Sequence, residues 1–190
     1  MKCPEEIPLV KSLPHYNIFD RIGELDFPKL TALNLGAGDY ESVVARQVCF
    51  MPFKKLVSVD GYEPCREEAL KMQFAAKTHE YRISLIQDIP KENFDVVMAF
   101  DLIEHLPKAD GEKLLDKLDK MAKIIFMFVP LEPEGYHRPN PDEANVLQAH
   151  ISHWTEADFK KRGYVTEVLP NIHGAGDIHW DGLYARKEVK

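Results

Sequence analysis

The chain has 190 residues, 45% of them hydrophobic and 29% charged, and its 24 basic against 31 acidic residues give a net charge of −7 with histidines neutral. That length and balance suit one ordinary globular domain with a sizeable core, and the negative charge argues against tight, non-specific binding of nucleic acid or anionic membrane. No run of about 18 apolar residues is present, the start MKCPEEIPLVKS lacks a signal peptide's apolar centre, and Cys3, Cys49 and Cys65 show neither metal-ligand spacing nor a disulfide framework, so a reducing cytoplasm is expected.

In chain order, Thr31–Leu35 reads as a short buried strand, and Glu41–Cys49 as a helix that Pro52 ends. Leu56–Asp60 is a second strand. Pro64 suits a first helical position, and residues 66–77 follow as helix, with Leu70 and Phe74 on one face. Ile83–Gln87 and Phe94–Phe100 are strands three and four. Gly111–Ala122 is an amphipathic helix with Leu114, Leu115, Leu118 and Met121 on its stripe, and Lys123–Val129 is strand five. Residues 130–149 carry four prolines and no clear period. Thr155–Arg162 is a helix, capped by Thr155 with Asp158 three residues on. Tyr164–Leu169 and Leu183–Lys187 are strands joined through a glycine-containing loop, with the GAG of 174–176 as a hairpin turn.

Continuous apolar strands separated by helices predict an α/β fold: a three-layer, Rossmann-like, mostly parallel sheet of seven strands, ending in an antiparallel edge pair. One domain over residues 1–190 is expected, with 1–18 as an N-terminal extension and 130–153 as a substrate-side loop.

Gly36 and Gly38 follow strand one, where open α/β sheets bind ligands. Glycine there tolerates positive φ and lets the backbone approach a ligand; a tight turn without a ligand is the plainer reading. The dinucleotide fingerprint needs a third glycine where Glu41 stands, and a carboxylate there repels a pyrophosphate. A phosphate-free ligand is favoured. Asp60, in SVDGYEP (58–64), is placed to accept from ribose hydroxyls, or it simply opens an Asp-Gly turn. Asp88 and Ile89 follow strand three, as an acceptor for an adenine amino group and an apolar surface for its ring, or as a solvated loop.

With LNLGAG, SVDGYEP and IQDIP in order, FDVVMAFDLIEHLPK (94–108) resembles the class I S-adenosylmethionine-dependent methyltransferases. The likeness runs from about Phe19 to Lys187 and includes WTEADFKKRGY (154–164). It implies a methyltransferase that places a methyl group on oxygen or nitrogen of a small molecule or sugar-linked acceptor. By that resemblance Asn34, Gly36, Ala37, Gly38, Asp60, Gly61, Tyr62, Asp88, Ile89, Phe100 and Asp101 bind the cofactor. The sequence departs from the family at Asn34, where an acid is usual, and at Tyr40, where a third glycine is usual.

A hydroxyl acceptor must lose its proton or be polarised by a metal. Asp101, His105 and His150 are the candidate catalytic groups. The set Asp101, Glu104, His105 and His150 resembles the metal constellation of small-RNA 3′-terminal 2′-O-methyltransferases; a divalent metal is possible on this reading but not favoured. Tyr136, His137, Arg138 and His150 are the candidate substrate contacts. His173 and His179 bracket a glycine loop without a clear role. The alternatives left open are a nucleoside-binding protein without turnover and a metal-dependent enzyme acting on an RNA end. The expected protein is a cytoplasmic monomer or homodimer, with nucleic acid disfavoured and no membrane partner.

Overall fold

The computed structural model describes residues 21–22, 25–89, 91–133, 144–175 and 178–189. Along them run β1 (Thr31–Leu35), α1 (Val43–Val48), β2 (Lys55–Asp60), α2 (Pro64–Ala69), β3 (His79–Ile83), β4 (Phe94–Phe100), α3 (Lys108–Met121), β5 (Ala122–Pro130), α4 (Glu156–Lys160), β6 (Val165–Ala175) and β7 (Ile178–Glu188). The seven strands form one sheet in the order β3-β2-β1-β4-β5-β7-β6. The first five are parallel, whereas β7 pairs antiparallel with both β5 and β6.

The period of two in a strand sends alternate residues to opposite faces, and here both faces are covered. Leu33, Leu35, Val57, Val59 and Val97 pack with Leu114, Leu115 and Leu118 of α3 on one side. Ala32, Leu56, Val96 and Met98 pack with Val44, Val48 and Phe53 on the other. Each such buried aliphatic side chain contributes about 1.5–3 kcal/mol, which is why near-continuous apolar runs mark these strands.

Local signals set several boundaries. Ser42 caps α1, its hydroxyl accepting from the Ala45 N–H at 3.1 Å. Thr155 and Asp158 form the expected reciprocal capping box at α4. Helix α2 stops at Ala69 instead of running to 77, because the chain beyond it bonds elsewhere: Ala75 N–H donates to Cys49 O at 2.7 Å, and Lys77 N–H to Phe53 O at 2.8 Å. The third strand is His79–Ile83, not Ile83–Gln87. It is an edge strand with only Tyr81 buried, so it alternates, while the more apolar SLIQ run beyond it turns outward along a cleft.

At the far edge, β6 and β7 are longer than the predicted pair, and their ladder closes at Ala175 and Ile178. The register shifts between Leu169 and His173. Asn171, with φ 54°, sits in that irregularity, and its N–H donates to the Asp181 carboxylate at 3.0 Å. Bulges re-aim side chains, and this one places His173 over the end of β4–β5.

The connection leaves β3 at one edge and re-enters the sheet at β4, on the other side of β1. Strand order therefore reverses between β1 and β4. The crevice at the carboxyl ends of these strands is where such sheets take ligands.

Candidate functional site

The loop after β1 carries an unusual density of left-handed backbone: Gly36 at φ 64°, Gly38 at φ 56° and Tyr40 at φ 65°. It is tied down from β2 and β3. Asp60 accepts from the Gly38 N–H and from the Tyr62 N–H, each at 2.8 Å, and the Tyr81 hydroxyl donates to Gly38 O at 2.7 Å. A Cβ on Gly36 would meet Leu102 Cδ1 at 2.9 Å, whereas a Cβ on Gly38 would meet nothing within 4 Å. Gly38 thus fronts open space, as a ligand cradle requires.

The two departures, Asn34 and Tyr40, explain each other. Asn34 is 2% exposed, and its amide donates to the Tyr40 hydroxyl at 3.1 Å. The Tyr40 hydroxyl bonds Ser58, whose Oγ bonds His79 Nε2 at 2.8 Å. Burial pushes the Tyr40 hydroxyl well above its ordinary range, although Ser58 and Asn34 pull the other way. An acid at 34 would sit in this buried neutral chain, so the amide belongs to the core and lies outside the cavity lining.

Two adjoining cavities, of about 740 and 450 Å³, share Gly36, Gly38, Asp101 and His105. Asp60, Gly61, Leu85, Ile86 and Gln87 line the larger. Ala37, Tyr62, Phe100, Glu104, His150 and His173 line the smaller. Asp88 and Ile89 do not line either; Ile89 is 2% exposed in the core. The residues just before them take the cavity positions, and Lys117 clamps that turn by donating to Ile89 O at 3.0 Å.

Asp101 follows β4 with φ 48°, a left-handed conformation rare for a side-chain-bearing residue. Its N–H donates to Phe128 O at 2.9 Å. Its Oδ1 lies 3.3 Å from His173 Nε2, and His173 stacks on Phe128 with ring centroids 5.0 Å apart. Sequence spacing left His173 without a role; the bulge in β6 brings it here. His179 is exposed on β7, away from this cluster.

Glu104 and His105 lie on a single 3₁₀ turn, Ile103–His105. The segment bearing His150 is stitched to that turn: Ile151 and Ser152 N–H groups donate to Glu104 O at 2.9 and 3.1 Å. Trp154 donates its indole N–H to Ile103 O at 3.2 Å. Lys108 completes the clasp by donating to His153 O at 2.6 Å and to Asp158 at 2.9 Å. The imidazoles of His105 and His150 consequently stand 4.7 Å apart and nearly perpendicular. Glu104, 1% exposed, brings its Oε1 to 4.0 Å from His105 Nε2. One ligand atom from each of Glu104, His105 and His150 lies within 4.8 Å of the others. Asp101 stands outside this trio, turned to His173. Tyr136, His137 and Arg138 lie outside the described residues.

The sequence matches no protein-family model and no curated protein. The fold, however, matches solved structures over nearly its full length. A DhpI complex with S-adenosylhomocysteine superposes with a TM-score of 0.64 at 16% identity, over 96% of this chain and 86% of that one. TehB from Haemophilus influenzae gives a TM-score of 0.68 at 11% identity, over 96% and 66%. The methyltransferase domain of bacterial CtHen1 gives 0.60 at 15% identity, over 93% and 98%. Among the described residues no helix is long and apolar enough to cross a membrane. The order of strands, the antiparallel pair β7–β6 at one edge and the crevice at the switch point together give this chain the fold of the class I S-adenosylmethionine-dependent methyltransferases.

Proposed function

We propose that this protein is an S-adenosylmethionine-dependent methyltransferase acting on oxygen or nitrogen of a small-molecule or saccharide acceptor. The observation that carries the reading is the continuous crevice running from the glycine turn and Asp60 to the Glu104–His105–His150 cluster. Each half has a task. The loop at Gly36–Gly38 admits a ligand's backbone-sized approach. Asp60 retains a second lone pair on each oxygen beyond the two N–H groups it accepts, enough for a pair of ribose hydroxyls. Leu85, Ile86 and Gln87 offer an apolar and polar edge for a base.

When bound, S-adenosylmethionine supplies a methyl group already activated for in-line displacement by its sulfonium. The protein's part is to hold the acceptor atom about 3–3.5 Å from that carbon and to receive its proton. His105, which lines both cavities, and His150, which lines the smaller, are the groups for that second task. As the acceptor oxygen takes the methyl group, its hydroxyl proton would pass to the imidazole of His105 or His150. Among the described residues the smaller cavity is lined by Asp39, Asp101 and Glu104 and by no lysine or arginine. That lining suits a neutral hydroxyl or amine acceptor better than a phosphate-rich RNA end. A likeness of fold to an EvdMO1 domain solved with S-adenosylhomocysteine and D-fucose points the same way.

Calorimetric titration with S-adenosylmethionine and S-adenosylhomocysteine, then a radiolabel transfer screen over hydroxylated and amino sugars, tests this. Saturable binding with transfer supports it. Binding without transfer to any acceptor favours a nucleoside-binding role, and no binding at all removes the reading. Asp60→Ala should weaken binding by about 1–3 kcal/mol through lost charged hydrogen bonds; unchanged affinity would remove Asp60 from the ribose.

The compact trio of one carboxylate and two imidazoles favours a second reading, in which a divalent ion polarises the acceptor. The donor set fits such an ion, with Glu104, His105 and His150 as its holders. Transfer that is lost to a chelator and restored by Mn²⁺ or Mg²⁺ selects it; transfer indifferent to chelation rejects it.

A further inference from the structure

We infer that Glu132 is a positioning residue: its carboxylate holds His150 in the Nδ1–H tautomer and so presents the Nε2 lone pair to the cavity. The chemical consequence rests on the methyl-transfer reading; the tautomer rests on geometry alone. Glu132 lies just past the end of β5 in a stretch whose length and prolines suggested a substrate loop. Its Oε1 stands 2.7 Å from His150 Nδ1, and the two side chains are 2% and 6% exposed. A neutral imidazole has one donor and one acceptor nitrogen, and an ionised carboxylate only accepts. In the neutral imidazole the proton of the 2.7 Å bond sits on Nδ1, and Nε2 is left as an acceptor.

His105 is fixed in the same sense by a different group. Its Nδ1 lies 3.1 Å from the Ala149 carbonyl, which can only accept, so its Nε2 is also an acceptor. His150 Nε2 is thereby offered as an acceptor in the smaller cavity, whose described lining carries no lysine or arginine, and it suits a hydrogen-bond donor or a cation there. Turning His150 to the other tautomer would place an N–H there instead and remove that acceptor. Partners of this kind orient a functional imidazole, and their loss costs about 10–100-fold in activity or affinity.

The test is ¹⁵N NMR of the imidazole nitrogens in the full chain, alongside steady-state kinetics with any acceptor found. In the wild type His150 should carry its proton on Nδ1. Glu132→Gln keeps an accepting oxygen and should preserve that tautomer. Glu132→Leu should populate the Nε2–H form and lower kcat about 10–100-fold, with KM for S-adenosylmethionine changed less than about threefold. An Nε2–H tautomer in the wild type, or a Glu132→Leu protein with unchanged tautomer and kcat, overturns the inference. If Glu132→Leu does not fold, the wild-type and Glu132→Gln tautomers decide it. The expected tautomers without transfer to any acceptor would leave Glu132 in place and count against the methyl-transfer reading instead.

Discussion

Two glycines of the first loop share a backbone conformation but not a surrounding. Gly36 and Gly38 both have φ near 60°, which costs a residue with a Cβ about 1–2 kcal/mol. Gly36→Ala adds a contact at 2.9 Å with Leu102, while Gly38→Ala adds none within 4 Å. Thermal denaturation should therefore show the larger loss of stability for Gly36→Ala. Gly38→Ala should lose about 1–2 kcal/mol at most, yet weaken binding of S-adenosylhomocysteine, because its new methyl group enters the cavity. Equal stability losses, or full affinity in Gly38→Ala, would contradict this division. Of these residues the sequence made the turn legible through its spacing after an apolar strand. It left Tyr40 unexplained, because a phenol's partners, here Asn34 and Ser58, come from two different strands.

Between elements, the clasp from α3 to the segment ahead of α4 builds the histidine cluster. Gly111 in α3 is required by its neighbour: a Cβ there would lie 2.4 Å from Trp154 Cζ2 and 2.9 Å from Ile103 Cγ1. Gly111→Ala should destabilise by about 1–3 kcal/mol through overpacking and shift Trp154. Loss of the His105–His150 ring contact in NMR and a fall in kcat are the expected readouts; a native-like ring contact would show that Trp154 does not set it.

The edge helix-strand region carries a pH dependence of its own. Burial of the His79 ring, opposed by the nearby Glu80 carboxylate, pushes its pKa down from the ordinary 6.5 to about 4. The folded state thus binds this proton less readily than the unfolded chain. The associated stability is present above pH 6.5 and is lost as pH falls toward about 4. His79→Gln should flatten the Tm–pH curve in that window; a curve of unchanged slope would exclude His79 as its source. Element boundaries were less legible than element types. The alternation of HEYRI is that of an edge strand, and nothing local to residues 70–77 announces bonds to the chain near Cys49 and Phe53.

For the whole molecule, a ligand that binds only the folded state stabilises it by mass action. S-adenosylhomocysteine at about 100 times its Kd should add about 2.7 kcal/mol and raise Tm by about 5–10 °C. NAD should give no shift; the reverse pattern would assign the crevice to a different nucleotide.

The sequence by itself determined the layered parallel architecture, the antiparallel edge and the glycine turn, because apolar periodicity and capping act between residues close in the chain. It also placed Glu104 and His105 together, since one turn holds them, whereas Asp101, expected beside them, turns to His173. The family resemblance grouped His150 with His105, but tertiary structure alone decided that His173 meets Asp101 and that Glu132 stands behind His150. Those meetings depend on a bulge, an indole hydrogen bond and the order of strands, and contacts across tens of residues leave no period in a sequence.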